Sequence, residues 1–537
     1  MPEPSLLEIN LSVVVFMPLV AGVIAVMLPA RLARFPVLLA ALMVLAYAVV
    51  MIVDYEPGLR ELQYDTYAEW IPQLGIFYAL GVDGLNLFLV GLTALLWVPA
   101  TLVPAVRTPE RPRAFFFHLA LAETAVLGAF CAQDLVLFVL FFDLMLVPFY
   151  FLIGGWGQGE RVRATTKFVI YTLVGSLFML AGAVALGVLA TGPDQEVSFL
   201  LADLERRTLG SGAQAWIFVA FAAAFIVKMP LFPVHGWMPD AYRATSIPVL
   251  VLLSAVLSKV GAYGFLRIVL PLLPEGVALF QEVVIVIAVV SILYGSVVAF
   301  AQDDVRLVVG YSSVAQLGFI TLGIFSLDPL GAQGAVMQMV NHGLVVAPLF
   351  FVIAAVSARA HGTDWLPRMG GLAVRAPVLA TLFVIVAFAT LAMPGSPNFV
   401  GEILILFGAF ETHFVFGLVA SVGVILAAVY MIRAFQRAMH GPPGRDADSR
   451  ELSGLDLATI APLAAVIVAL GVYPQVVLAR TEGATVTRID RAASAAGEGP
   501  RASAGPPPGV SARAEPRRPS APSDARRPAP PYLAAER

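Results

Sequence analysis

Six ionisable side chains stand inside apolar runs of this sequence: Glu123 in FFFHLALAETAVLGAF, Asp143 in LVLFVLFFDLMLVPFYFLI, Lys228 in AFIVKMPLFPVHGWMPD, Lys259 in LSKVGAYGFL, His342 in AVMQMVNHGLVVAPLFFVI and Glu402 in NFVGEILILFGAF. A charge at mid-membrane costs about 2.5–3.5 kcal/mol even on the lenient insertion scale, so such residues mark ion or proton paths. Of 33 Lys plus Arg only three are lysine, and two of these, Lys228 and Lys259, lie in apolar runs, with Lys167 in a basic connector. Arginine stays protonated, whereas a desolvated lysine can release its proton near neutral pH. The set therefore suits stepwise proton transfer. Its spacing does not suit a metal site, and its histidines lack the facing partners a haem needs. Each group also has a plainer reading, a hydrogen bond that ties helices together, and this applies most readily to Glu123. His235 follows a double proline and fits either class; His118, His361 and His413 fall at helix ends or loops, where a solvated role is expected.

These groups must be positioned by membrane helices. The 537 residues are 59% hydrophobic and only 13% charged, with a mean hydropathy of +0.87, far outside the soluble range. A spanning helix takes about 20 apolar residues, and stretches of that kind are centred near residues 20, 45, 94, 123, 145, 179, 223, 258, 288, 315, 345, 385, 425 and 467. The expected fold is an all-α polytopic membrane protein of about fourteen transmembrane helices. The single cysteine, Cys131, excludes an internal disulfide and any Cys-ligated zinc or iron–sulfur site. Acidic Glu3 and Glu8 precede the first apolar segment, so it is expected to stay as a helix rather than act as a cleaved leader. Gly-rich dinucleotide and Walker sequences are missing, which argues against a nucleotide enzyme, and no nucleic-acid partner is expected.

Basic connectors alternate along the chain. Arg31 and Arg34, Arg107, Arg111 and Arg113, Arg161, Arg163 and Lys167, Arg243, Arg306, Arg359, Arg368 and Arg375, and Arg433, Arg437, Arg445 and Arg450 form one set. The positive-inside rule puts these in the cytoplasm. The opposite set is acidic, with Asp54, Glu56, Glu61, Asp65 and Glu69 in one loop and Asp194, Glu196, Asp203 and Glu205 in another. Both termini are then expected outside a bacterial cytoplasmic membrane. Beyond residue 480 a Pro, Ala, Ser and Arg mixture predicts a disordered tail over 481–537.

Met229-Pro-Leu-Phe-Pro233 should break helix 7 just after Lys228, and Met393-Pro-Gly-Ser-Pro397 repeats that spacing in helix 12, just before Glu402. Breaks at membrane depth are tolerated only where they are buried in protein or line a wet cavity. Paired breaks mark an internal repeat with its sites at the interruptions. The predicted organisation is helices 1–3 over 1–113, a five-helix repeat (helices 4–8) over 114–272, a second, inverted five-helix repeat (helices 9–13) over 273–440, and helix 14 over 441–480.

The runs GVDGLNLFLVGL (81–92), FFDLMLVPFYFLIGGWG (141–157), AFIVKMPLFPVHGWMPDA (224–241), LSKVGAYGFLRIVLPLLP (257–274), DDVRLVVGYSSVAQLGF (303–319), NHGLVVAPLFF (341–351) and MPGSPNFVGEILILFGAF (393–410) together resemble the subunit M (chain 4) family of antiporter-like subunits of NADH:quinone oxidoreductase, respiratory complex I. The resemblance covers about residues 10–475 and implies proton translocation driven by NADH:quinone oxidoreduction. It makes Lys228 the central lysine, Lys259 the connecting lysine, His342 the helix-11 histidine and Glu402 the terminal acid, where the sibling L and N subunits carry lysine. The family's helix-5 glutamate is replaced by Asp143, and YRATSIPV stands where the family shows a histidine and Ala-Pro-Thr. The chain is expected to hold no cofactor, with NADH, FMN, iron–sulfur clusters and quinone in partner subunits, and to adjoin L- and N-type subunits in the bilayer. The alternatives are an Mrp-type sodium/proton antiporter subunit, the related subunit of a hydrogenase complex, and a scaffold with inert charges.

Overall fold

The computed structural model describes residues 10–58, 62–442 and 450–497. The chain opens with α1 (Leu11–Met27) and α2 (Arg34–Asp54), a hairpin of β1 (Gln63–Ile71) and β2 (Ile76–Val82), then α3 (Leu87–Val106), α4 (Pro112–Cys131), α5 (Leu135–Leu144), α6 (Leu146–Trp156), α7 (Arg161–Leu189) and a short α8 (Leu201–Leu204). It continues with α9 (Ser211–Lys228), α10 (Met238–Ala244), α11 (Ile247–Leu252), α12 (Ser258–Gly264), α13 (Leu270–Leu272), α14 (Pro274–Ala301), α15 (Val305–Phe325) and α16 (Pro329–Arg359). Last come α17 (Leu372–Arg375), α18 (Pro377–Thr390), α19 (Pro397–Thr412), α20 (Phe414–Met439), α21 (Gly454–Val472) and α22 (Gln475–Ala495).

Among the described residues twelve helical segments are long and apolar enough to cross a membrane, counting α5–α6 and α11–α13 as one each, and two shorter apolar helices, α1 and α18, accompany them. The protein is an α-helical polytopic membrane protein. Hydrophobicity alone cannot sort its helices, because lipid tails are as apolar as leucine. Position does so: α2 turns Phe35, Leu39, Leu42, Val49 and Val53 outward, whereas α15, α16 and the α11–α13 string are almost wholly buried.

Both predicted breaks are present. Helix α9 ends at Lys228 and the chain resumes in a 3₁₀ turn at His235–Trp237 before α10; α18 ends at Thr390 and α19 starts at Pro397. Backbone groups freed at such breaks must find partners inside the protein. At the first, Trp237 Nε1 donates to Val227 O (3.0 Å) and Phe232 N donates to Ser291 Oγ of α14 (3.0 Å). At the second, Asn341 Nδ2 of α16 donates to Pro397 O (2.7 Å). Two π-helical turns, Leu253–Leu257 and Phe265–Val269, flank α12. Prolines signal the breaks; no residue pattern announced the π turns.

Two expectations change. Much of the acidic segment after α2 is not a loop but a hairpin, with Tyr67 opposite Ala79 and Glu69 opposite Phe77. QYDTYAEWI and IFYALGV supply the aromatic and β-branched residues that strands favour. The predicted disordered tail also begins too early, because α22 runs to Ala495. Val477, Thr481, Thr485, Ile489 and Ala492 recur every three or four residues and form its buried stripe. Composition alone hid this periodicity. The rest of the predicted tail, from 498 on, lies outside the described residues.

An ion-pair cluster fixes α22. Arg488 pairs with Glu205 and lies 3.9 Å from Asp83, which also pairs with the fully buried Arg267. Burial pushes the Asp83 carboxyl up, but the Arg267 and Arg488 guanidinia outweigh it and hold the group below its usual range. A Cβ on Gly84 would stand 2.1 Å from Arg480 O, so the loop and the α22 backbone touch directly. Gly84→Ala should therefore loosen α22 at a cost of about 1–3 kcal/mol. The check is a lower melting temperature in detergent together with faster protease cleavage after residue 475.

Candidate functional site

The six ionisable groups fall into two clusters and one isolated site. In the first cluster, Asp143 is half-buried two residues before the interruption between α5 and α6 at Met145. Pro148 contributes to this interruption by lacking an N–H for the helical ladder. Lys228, 3% exposed at the end of α9, sits over the ring of Phe142 with Nζ 4.4 Å from the centroid. Lys228 makes no ion pair with Asp143 among the described residues. Asp143 Oδ1 is buried without a hydrogen-bond partner among the described residues. Asp143 and Lys228 thus form an open pair whose cation rests on an aromatic face.

The second cluster is hydrogen-bonded. Lys259 is fully buried, and its Nζ lies 2.8 Å from His342 Nδ1. Nζ also donates to Ser254 O (2.9 Å), a carbonyl in the π turn, and to Ser258 Oγ (3.2 Å). On the far side, Gln316 Nε2 of α15 donates to Glu402 Oε1 (2.7 Å), and Gln338 Nε2 donates to Gln316 Oε1 (2.7 Å). Gln338 stands one turn before His342 on α16. A Cβ on Gly401 would lie 2.3 Å from Gln338 Oε1, so the glycine lets α19 close on this amide. His342 Nε2, Gln338 Oε1 and Glu402 Oε2 are buried without a hydrogen-bond partner among the described residues. When Lys259 is charged, its ammonium donates to Nδ1 and the imidazole carries its own proton on Nε2.

Sequence reasoning found Lys259, His342 and Glu402 but missed Gln316 and Gln338. Their signal was present but weaker than that of a charge: an amide in an apolar helical run needs a hydrogen-bond partner across helices. Glu123 departs from its expected part in helix-tying hydrogen bonds. It is fully buried in α4 and neither carboxylate oxygen has a hydrogen-bond partner among the described residues, while its neighbour Thr124 does the tying by accepting from Leu19 N (3.1 Å) at the Pro18 gap of α1. His235 belongs to neither cluster. It lies among the rings of Phe232, Tyr294 and Tyr311, at centroid distances of 6.0, 5.0 and 6.1 Å. Among the described residues no three His, Cys, Asp or Glu side chains gather as metal ligands. What the arrangement can do is hold and pass protons.

Residues 132–427 match the family described as NADH:quinone oxidoreductase/Mrp antiporter, TM. The chain is 36% identical over 483 residues to NADH-quinone oxidoreductase subunit M of Rhodobacter capsulatus, covering 87% of this chain and 94% of that protein. Its fold is similar to a chain of respiratory complex I from Thermus thermophilus with bound NADH, at 31% identity and a TM-score of 0.83 over 90% of this chain and 99% of that one. A chain of the Mrp complex from a Dietzia species shares the fold at 24% identity, with a TM-score of 0.78 over 92% of this chain and 100% of that one.

Proposed function

The chain belongs to the NADH-quinone oxidoreductase subunit M family, and from that membership we propose that it translocates protons in the membrane arm of respiratory complex I while partner subunits perform the redox chemistry. The observation that carries this reading is the buried Lys259–His342 contact at 2.8 Å, set one helical turn from the amide ladder that holds Glu402.

The chemistry follows from the open pair. Swinging Asp143 toward Lys228 favours the charged lysine, and withdrawing it favours proton release into the buried interior. At an effective dielectric constant near 20, closing such a pair from about 8 to about 4 Å changes its interaction by about 2 kcal/mol. That shifts a proton equilibrium roughly 30-fold. Lys259 receives the proton by way of water, shares it with His342, and Glu402 exchanges it with the far side. Gln316 and Gln338 orient the acid rather than carry charge. The NADH, FMN, iron–sulfur and quinone sites belong to other subunits, with L- and N-type antiporter-like chains as neighbours. Paired breaks, each bridged by side chains outside the broken helix, support the inverted-repeat reading of helices 4–8 and 9–13. The connector charges support a bacterial cytoplasmic membrane with the arginine-rich loops inside.

The fold shared with the Mrp chain favours cation/proton exchange as the second reading. Mild-detergent extraction from the native membrane separates the two. Co-migration with NADH:quinone reductase activity in one very large particle is the expected result; a smaller assembly without NADH oxidation refutes the proposal and leaves sodium/proton exchange as the activity to assay. Within the complex, Gln316→Leu should leave Glu402 without its donor and Gln338 without its acceptor. Stranded buried partners cost about 1–3 kcal/mol each. Gln316→Glu should disturb translocation more than assembly, by placing a second acid against Glu402; NADH-driven proton uptake and yield of the assembled particle are the readouts.

A further inference from the structure

A cavity of about 340 Å³ opens between α6 and the first turns of α7, lined by Arg111, Tyr150, Phe151, Arg161, Val162 and Thr166 around Gly154 and Gly155. It lies at the arginine-rich ends of these helices, away from both buried clusters. Its two cations are exposed, and their hydrogen bonds among the described residues are long: Arg111 Nη2 to Gly155 O at 3.5 Å, and Arg161 Nη1 to Gly155 O at 3.3 Å and Gly157 O at 3.5 Å. Arg111 also stacks on Trp156, with Cζ 5.3 Å from the ring centroid. Neither arginine forms an ion pair with a carboxylate among the described residues, although Glu110 and Glu160 adjoin them in sequence. Each guanidinium carries five N–H donors, so most of their hydrogen-bonding capacity is unspent.

We propose that this cavity binds the headgroup of an anionic phospholipid, with both guanidinia on its phosphate and the acyl chains along α7. The lining also includes exposed apolar side chains: Tyr150, Phe151 and Val162 are 47%, 44% and 72% exposed. From there the outward ridge of Ile170, Leu173, Val174 and Leu177 runs on toward the bilayer interior. Charge at one end and an exposed apolar track at the other fit a phospholipid and not free phosphate, which would use only the charge. A Cβ at Gly155 would stand at ordinary contact distance from Arg111 Nη2 (3.9 Å), so only a large side chain at this position would fill the cavity. Basic pockets between transmembrane helices on the cytoplasmic side are a recurrent way of holding acidic lipids.

The test uses the assembled membrane complex, exchanged into nanodiscs of phosphatidylglycerol or phosphatidylcholine, with bound lipid counted by native mass spectrometry. Each near-surface cation contributes roughly five-fold to binding, so Arg111→Gln with Arg161→Gln should lower retained phosphatidylglycerol about 30-fold. Arg163→Gln, outside the cavity, should leave retention unchanged. Gly155→Phe should empty the cavity of lipid with both charges in place, and excess inorganic phosphate should not displace phosphatidylglycerol. Equal retention by the double variant, equal retention of phosphatidylcholine, displacement by phosphate, or no retained lipid because a neighbouring subunit covers the cavity would each overturn the proposal.

Discussion

Lys228→Ala should assemble into the large NADH-oxidising particle and fail to translocate protons through this subunit. Losing a positioned proton-transfer group costs about 10²–10⁴-fold in the step it serves, so the contribution of this chain to NADH-driven acidification should fall below detection. Lys228→Arg is the discriminating companion. It keeps the positive charge and the contact with the Phe142 face, where Lys228 Nζ lies 4.4 Å from the centroid, but its guanidinium does not release a proton. If the lysine only braces the break after α9, the arginine variant should pump normally; if it is a proton carrier, both variants should be silent. Acidification per NADH oxidised in inverted vesicles decides between them, and undiminished pumping by Lys228→Ala would sink the mechanism.

Glu402→Gln is the second expected large effect. The amide oxygen of the new side chain still accepts from Gln316, which donates to Glu402 Oε1 at 2.7 Å, so the ladder from α16 to α19 stays bonded and stability should change by less than about 1 kcal/mol. Translocation should nevertheless stop, because an amide neither holds nor releases a proton at this position. Glu402→Leu should lose both, since the stranded Gln316 amide adds roughly 1–3 kcal/mol of destabilisation. Melting temperature and vesicle acidification, measured side by side, separate the two consequences. A fully pumping Glu402→Gln would remove Glu402 from the path.

Much of this was legible in one dimension for a definite reason. Bilayer solvation is so selective that a spanning segment must be apolar for about 20 residues, which exposes every buried charge as an anomaly. The six titratable groups therefore stood out without a structure. Proline acts through local backbone chemistry, so the breaks after Lys228 and before Glu402 could be placed to within a few residues. Arginine against lysine usage is also a local choice and pointed to the same two lysines. The hairpin at Gln63–Val82 and the helix Gln475–Ala495 were less visible. The strands are short and the helix is amphipathic rather than apolar throughout, and strongly apolar neighbours dominate any compositional reading.

Sequence by itself thus determined the membrane fold, the set of ionisable residues and the places where helices break, because each is set by the cost of burying one group or by one residue's backbone. Only tertiary structure decided how those residues are partnered. Lys259 reaches His342 across 83 positions of chain, and Gln316 reaches Glu402 across 86. Lys228 rests on Phe142 rather than on the carboxylate one residue further along. Such contacts depend on how rigid helices pack and on which unpaired groups the packing leaves facing each other, and no local propensity encodes that.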